Sequence, residues 1–219
     1  MTPGEIPAAL LTHLYVAFAY ITADYDITNM DGVTSEIYQN VGNVKSKNPD
    51  LKILISIGGW AFDQSIFSNM VYSSGTRATC IQNVLNWLGE YGYDGVDFDW
   101  EYPGASDRSG VPADTENYVS FLQELRTAIT AAGKEYILLV PANFDLPGMV
   151  ESVDWINLMT YDLHGVWDAE DVYIGSEVLA HTNLTEIDLA LDLIEYANQI
   201  GLSGLMVWAI DLDDANHDQ

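Results

Sequence analysis

The chain has 219 residues, 48% hydrophobic and 11% aromatic, which fits a globular protein with one sizeable core and excludes a disordered chain. Its 33 acidic and 7 basic side chains leave a formal net charge of −26, which argues against nucleic acid and anionic membrane as partners. All seven Lys and Arg stand at or before Lys134; the residues beyond it carry 17 acids and no such cation.

The opening segment, MTPGEIPAALL, has neither the basic start nor the long apolar core of a secretory signal. Strand-like apolar runs and helical periods then alternate. HLYVAFAYI (13–21) and LKILISIGG (51–59) come first, and residues 76–91 follow with Cys80, Ile81, Val84, Leu85 and Leu88 on one helical face. GVDFDWE (95–101) is the third run. A loop with Gly110 and Pro112 leads to a helix over 114–132, then to YILLVPA (136–142) and VDWINLMTY (153–161). A third helix, over 184–200, opens on a Thr185-to-Asp188 cap and runs into GLMVWAI (204–210). No apolar stretch approaches the ~20 residues of a membrane-spanning helix. Near-continuous apolar strands suit a parallel sheet covered on both faces, and the alternation is that of βαβ units. The prediction is an α/β fold, one domain over 1–219, built as a TIM-type (β/α) barrel with six recognisable strands. Cys80 is the only cysteine, so no internal disulfide forms, and its place on the apolar helix face reads as a buried structural thiol.

In such a barrel the chemistry gathers where strands end at the C-terminal face. Ser56, Gly58 and Trp60 end the second run, Glu101 the third, Tyr161 and Asp162 the fifth, and Trp208 and Asp211 the last. The stretch DGVDFDWEYP (94–103) is the most unusual. Asp97, Asp99 and Glu101 recur at period two inside an apolar strand, so all three carboxyls share one face, ~6 to 7 Å apart along it. Burying unpaired carboxylates is costly, and close like charges cannot all ionise, so one acid of the group stays protonated near neutral pH. That is the property of a general acid, and Glu101, nearest the mouth, is the candidate. Asp97, deeper, shares a proton with Asp99 or accepts structural hydrogen bonds. A divalent-cation site and a purely structural network are the other two readings of the row.

These residues resemble family 18 of the glycoside hydrolases, the chitinases and their relatives. DGVDFDWE matches the family's D-x-x-D-x-D-x-E motif, SIGGW (56–60) its motif on the preceding strand, and NLMTYDLHG (157–165) and GLMVWAIDLDD (204–214) its later strands. The wording is closest to fungal chitinases. The resemblance implies hydrolysis of β-1,4 bonds between N-acetylglucosamine units, assisted by the substrate's own acetamide. It assigns protonation of the glycosidic oxygen to Glu101, orientation of the acetamide to Asp99, support of Asp99 to Asp97 and a hydrogen bond to the acetamide carbonyl to Tyr161. Trp208 is then the apolar floor under that sugar, with Met159 and Asp162 beside Tyr161. Trp60, Tyr102 and Phe18 complete the sugar-binding surface. Chitin or a chitooligosaccharide is the implied partner, with no cofactor and no metal, and family members are often extracellular.

Taken singly, Trp208 and Met159 read as core packing, Tyr161 as a buried hydroxyl with some partner, and Gly58 with Gly59 as close backbone approach. The chain also departs from the family pattern. Nothing before LLTHLYVAFAY resembles the first barrel strand, and the helix at 184–200 leads directly to GLSGLMVWAI, without the seventh strand or the small α+β insertion. A shallow, open groove cleaving internal bonds is the expectation. A catalytically silent sugar-binding relative and an inactive truncated fragment are the alternatives, and the intact Glu101 counts against the first of them.

Overall fold

Among the described residues, five of the six apolar runs contain strands, and the reason is visible in how each is covered. LKILISIGG forms a strand buried at every position after Lys52. In the computed structural model, which describes residues 2–141, 145–157, 159, 161, 206, 208 and 209, one sheet holds six strands. They are β1 (His13–Ile21), β2 (Ile27–Asn29), β3 (Lys52–Gly58), β4 (Gly95–Asp99), β5 (Ile137–Pro141) and β6 (Trp155–Asn157). Their order across the sheet is β2-β1-β3-β4-β5-β6. All neighbours are parallel except β2, which folds back antiparallel on the last three residues of β1.

The described helices are α1 (Ser35–Gly42), α2 (Gln64–Val71), α3 (Ser74–Tyr91), α4 (Asp114–Ala131) and the single turn α5 (Leu146–Met149). The two helices predicted in this part of the chain are α3 and α4, each within two residues of its predicted ends. α3 starts on Ser73, whose side chain accepts from the Thr76 N–H, and stops at Gly92, whose φ of 69° suits glycine. It buries Cys80, Ile81, Val84, Trp87 and Leu88, while α4 buries Tyr118, Phe121, Leu122, Leu125 and Ile129. Burial pushes the Cys80 thiol up to about 12, so it is an inert core residue, as its position on the helix face predicts. Arg77 of α3 ties the two helices by a paired contact to Glu124, at 2.9 and 2.7 Å. Among the described residues no helix is long and apolar enough to cross a membrane.

The sheet is curled, and one pair of side chains proves it. Four strand spacings separate β1 from β6, which in a flat sheet is about 19 Å. Yet the Trp155 indole N–H of β6 donates to the Tyr15 hydroxyl of β1 at 3.2 Å, and the His13 and Trp155 rings meet edge to face at 5.0 Å. The side chains meet across the concave face, which makes it the inside of a partly closed barrel.

At the N-terminal ends of the strands a single device occurs twice. Asp94, just before β4, accepts from the Ile53 N–H of β3 at 2.8 Å and pairs with Lys45 at 2.5 Å. Asp154, just before β6, accepts from the Leu138 N–H of β5 at 2.8 Å and pairs with Arg126 at 2.6 Å. Each carboxylate caps the neighbouring strand's free donor, and each is neutralised by a cation. Asp94 therefore stands at the opposite end of β4 from the other acids of its motif.

The chain divides into two compact units, residues 1–157 and 158–219. The predicted helix at 184–200 and all but three residues of the predicted strand at 204–210 lie outside the described residues.

Candidate active site

The register of β3 on β4 sets Ser56 opposite Asp97 and Gly58 opposite Asp99. From that pairing the Ser56 hydroxyl donates to Asp97 Oδ2 at 2.8 Å. Asp97 is only 7% exposed and Asp99 is half-buried. The alternate residues face the other way. Phe98 packs on Phe121 of α4, and Trp100 lies between Phe67 of α2, stacked at 5.2 Å, and Tyr118 of α4. Period two thus sorts β4 into an aromatic face under the helices and an acidic face toward the interior.

β4 ends at Asp99, two residues short of Glu101, which is a correction to the expectation that Glu101 closes the strand. The ladder stops because β3 stops at Gly58, and the Asp99 carbonyl accepts from the Gly59 N–H at 2.8 Å as the chains part. A side chain at Gly58, where φ is 116°, would lie 2.4 Å from that same carbonyl oxygen, so this crossing requires glycine. Gly59 leaves room for the Phe18 ring, whose atoms come within 2.8 Å of where a Cβ would stand. Phe18 itself sits at an irregularity between Ala17 and Ala19 that takes it out of the β1–β3 ladder, and its carbonyl accepts from the Tyr38 hydroxyl at 2.7 Å. Phe18, Trp60, Asp97, Asp99, Glu101 and Tyr102 are therefore gathered at the C-terminal ends of β1, β3 and β4. Trp60 is the exposed member, at 59%.

Burial pushes the Asp97 carboxyl up to about 7, against the opposing pull of the Ser56 hydrogen bond. It does the same to Asp99, with an added push from the Asp97 charge. Among the described residues, Oδ1 of each is buried without a hydrogen-bond partner. A proton held by the pair removes the repulsion and supplies a donor. Deeper still, the Tyr15 hydroxyl is pushed up by burial, held by the bonds to Trp155 and Asn157 that oppose this, and feels the Asp97 charge.

This arrangement predicts how stability responds to pH. Unfolded, both acids ionise near 3.8; folded, the pair keeps a proton up to about 7. The folded state binds more protons between those values, so its advantage is complete below 3.8 and is lost as pH rises through about 7. One proton kept across that window is worth on the order of 4 kcal/mol. The melting temperature is expected to fall between pH 5 and pH 8, and Asp97→Asn should flatten the fall. Equal slopes in the two proteins would show that the pair does not hold the proton.

In the second unit, Met159 and Tyr161 are half-buried and Trp208 is 47% exposed. Asp162 lies outside the described residues, as do His164, Trp167 and Asp211. The metal reading of the acid row requires several ligating groups around one point, and no cluster of three or more His, Cys, Asp or Glu forms among the described residues. Sequence reasoning missed Tyr15, Gln64 and Arg108. Gln64 is buried and bonded to the Glu101 backbone, and Arg108 reaches the same residue from the loop after β4. Only Arg108 carried a signal, being one of seven cations and standing just past the acid motif.

A family model described as glycosyl hydrolases family 18 matches residues 2–193. The chain belongs to this family. An endochitinase of Manduca sexta is 36% identical over 176 residues, covering 74% of this chain and 32% of that protein. A protein named secreted chitinase LysM12, from Penicillium expansum, is 32% identical over 214 residues, covering 88% of this chain and 14% of its own length. The solved structure of an Ostrinia furnacalis Group IV chitinase in complex with allosamidin superposes with a TM-score of 0.71 at 33% identity, over 77% of this chain and 48% of that one. This family 18 chain thus spans at most about a third of the length of these two curated relatives and about half of that solved chain. The likeness gives its curled sheet a name: it is part of a TIM-type barrel, an incomplete one with five parallel strands among the described residues where a complete barrel has eight.

Proposed function

We propose that the chain acts as one catalytic domain over residues 1–219, a chitinase cleaving internal β-1,4 bonds between N-acetylglucosamine units with retention. The observation that carries the reading is the acid row. A buried, proton-holding Asp97–Asp99 pair sits at the end of β4, with Glu101 next beyond it on the rim. Membership of family 18 supports it, and so do the names of the relatives.

In this reading Glu101 gives its proton to the glycosidic oxygen as the bond from that oxygen to the anomeric carbon breaks. The carbonyl oxygen of the same sugar's acetamide attacks the anomeric carbon and forms an oxazolinium ring. Asp99 accepts a hydrogen bond from the acetamide N–H and balances the ring's positive charge, while Asp97, anchored by Ser56, holds the pair's proton. Tyr161 steadies the acetamide carbonyl. Water then attacks the anomeric carbon as the ring's bond from that carbon to the acetamide oxygen breaks and the acetamide re-forms; the water loses its proton to the Glu101 carboxylate, and the site returns to its starting state. Trp208, Met159, Asp162, Trp60, Tyr102 and Phe18 form the sugar-binding surface. The protein works outside the cell on chitin or its oligosaccharides, in line with the relative named as secreted.

The test is release of fluorophore from a chitotrioside by the purified chain, with a melting curve beside it. Turnover by a cooperatively melting protein supports the proposal. Saturable oligosaccharide binding without turnover identifies a binding module and defeats it.

A further inference from the structure

Glu101 lies just past the end of β4, where among the described residues the β3–β4 ladder no longer holds its backbone. Two side chains do. Gln64, the first residue of α2 and 4% exposed, accepts from the Glu101 N–H through Oε1 at 3.1 Å. Its Nε2 donates to the carbonyls of Gly59 and Phe62, each at 2.9 Å. From the other side, Arg108 Nε donates to the Glu101 carbonyl at 3.2 Å, and its Nη2 donates to the Trp60 carbonyl. The guanidinium carbon also sits 3.9 Å from the centroid of the Trp60 indole. The N–H and the C=O of one residue are thus each tied to the same short loop, Gly59 to Phe62, by different side chains. A planar fork with several fixed donors meets two carbonyls and sits over a ring at once; a lysine ammonium does not.

We propose that Gln64 and Arg108 are positioning residues that fix Glu101 and Trp60 as one rigid assembly, with Arg108 covering one face of the indole and leaving the other for a ligand. The geometry stands alone; only its kinetic consequence rests on the hydrolytic reading above. Misplacing an acid by about 1 Å costs about 100-fold in rate, because proton transfer requires the donor within hydrogen-bond reach. Loss of the clamp therefore acts on kcat far more than on KM.

The experiment compares wild type, Arg108→Met, Arg108→Lys and Gln64→Glu by steady-state kinetics on the chitotrioside, thermal melting and amide hydrogen exchange. Methionine keeps much of the length and the apolar cover over the indole while removing every donor. Arg108→Met is expected to lower kcat about 10- to 100-fold with KM within about threefold. Its melting temperature should stay near that of wild type. Faster exchange should be confined to residues 59–66 and 100–110. Arg108→Lys should recover little, and Gln64→Glu, which loses the two donations to the loop, should resemble Arg108→Met. Wild-type kcat and exchange in Arg108→Met would overturn the proposal. So would full recovery by lysine, or a kcat loss that only follows a lower melting temperature. If wild type itself shows no turnover, the hydrolytic reading fails and exchange alone decides the clamp: faster exchange in those two segments upholds it, and unchanged exchange overturns it.

Discussion

Glu101→Gln is expected to abolish hydrolysis of the chitotrioside while leaving oligosaccharide binding nearly intact. The amide keeps the size and shape of the carboxyl, and the Glu101 N–H and C=O stay tied to Gln64 and Arg108. What it lacks is an acidic proton for the leaving oxygen and a carboxylate to receive one from water. Removing a positioned general acid lowers kcat by about 10²- to 10⁴-fold. The check is kcat beside the dissociation constant for a chitooligosaccharide, measured by calorimetry on both proteins. Equal turnover by the two would defeat the mechanism.

Asp99→Asn is expected to be nearly as severe. In the proposed mechanism the positive charge of the oxazolinium ring forms beside Asp99, and a neutral amide cannot balance it. Removing a preorganised electrostatic stabiliser costs about 10²- to 10³-fold in kcat. The substitution also ends the sharing of a proton with Asp97, whose Oδ1, like that of Asp99, is buried with no partner among the described residues. The rate should therefore lose its dependence on the pair's titration near neutral pH. A variant with undiminished kcat at pH 5 and pH 8 would show that the charge is not used.

The parts of this molecule that were legible in advance are those in which a short local pattern decides the structure. An apolar run interrupted by acids at period two has one economical explanation, a strand with a polar inner face, and β4 follows it. The long apolar face of residues 76–91 likewise identifies α3. β2 and α1 escaped because each is too short for a period to show: β2 is three residues, and α1 buries only Tyr38 and Val41. The end of β4 was misplaced because a strand's last residue is set by its neighbour's length, and β3 stops at Gly58. Asp94 shares the acidic stretch without belonging to its period-two row, and its capping of Ile53 depends on a register that no local pattern encodes. Gln64 was invisible for a similar reason: it acts on backbone carbonyls and an N–H group, which leave no trace in residue type, while Arg108 showed only as a rare cation just past the acid motif.

The bridge between Trp155 and Tyr15 joins residues 140 positions apart. Every intervening parallel strand needs its own crossover, so the bridge cannot close until β3, β4 and β5 are already in place. Contacts of such sequence separation carry a large loop-closure cost before they return any stability, and parallel sheets fold slowly for that reason. Curling the sheet is thus a closure of high entropic cost, expected late in the assembly of this unit. The Trp155 indole, which exchanges solvent for the Tyr15 hydroxyl at that step, is its natural optical reporter.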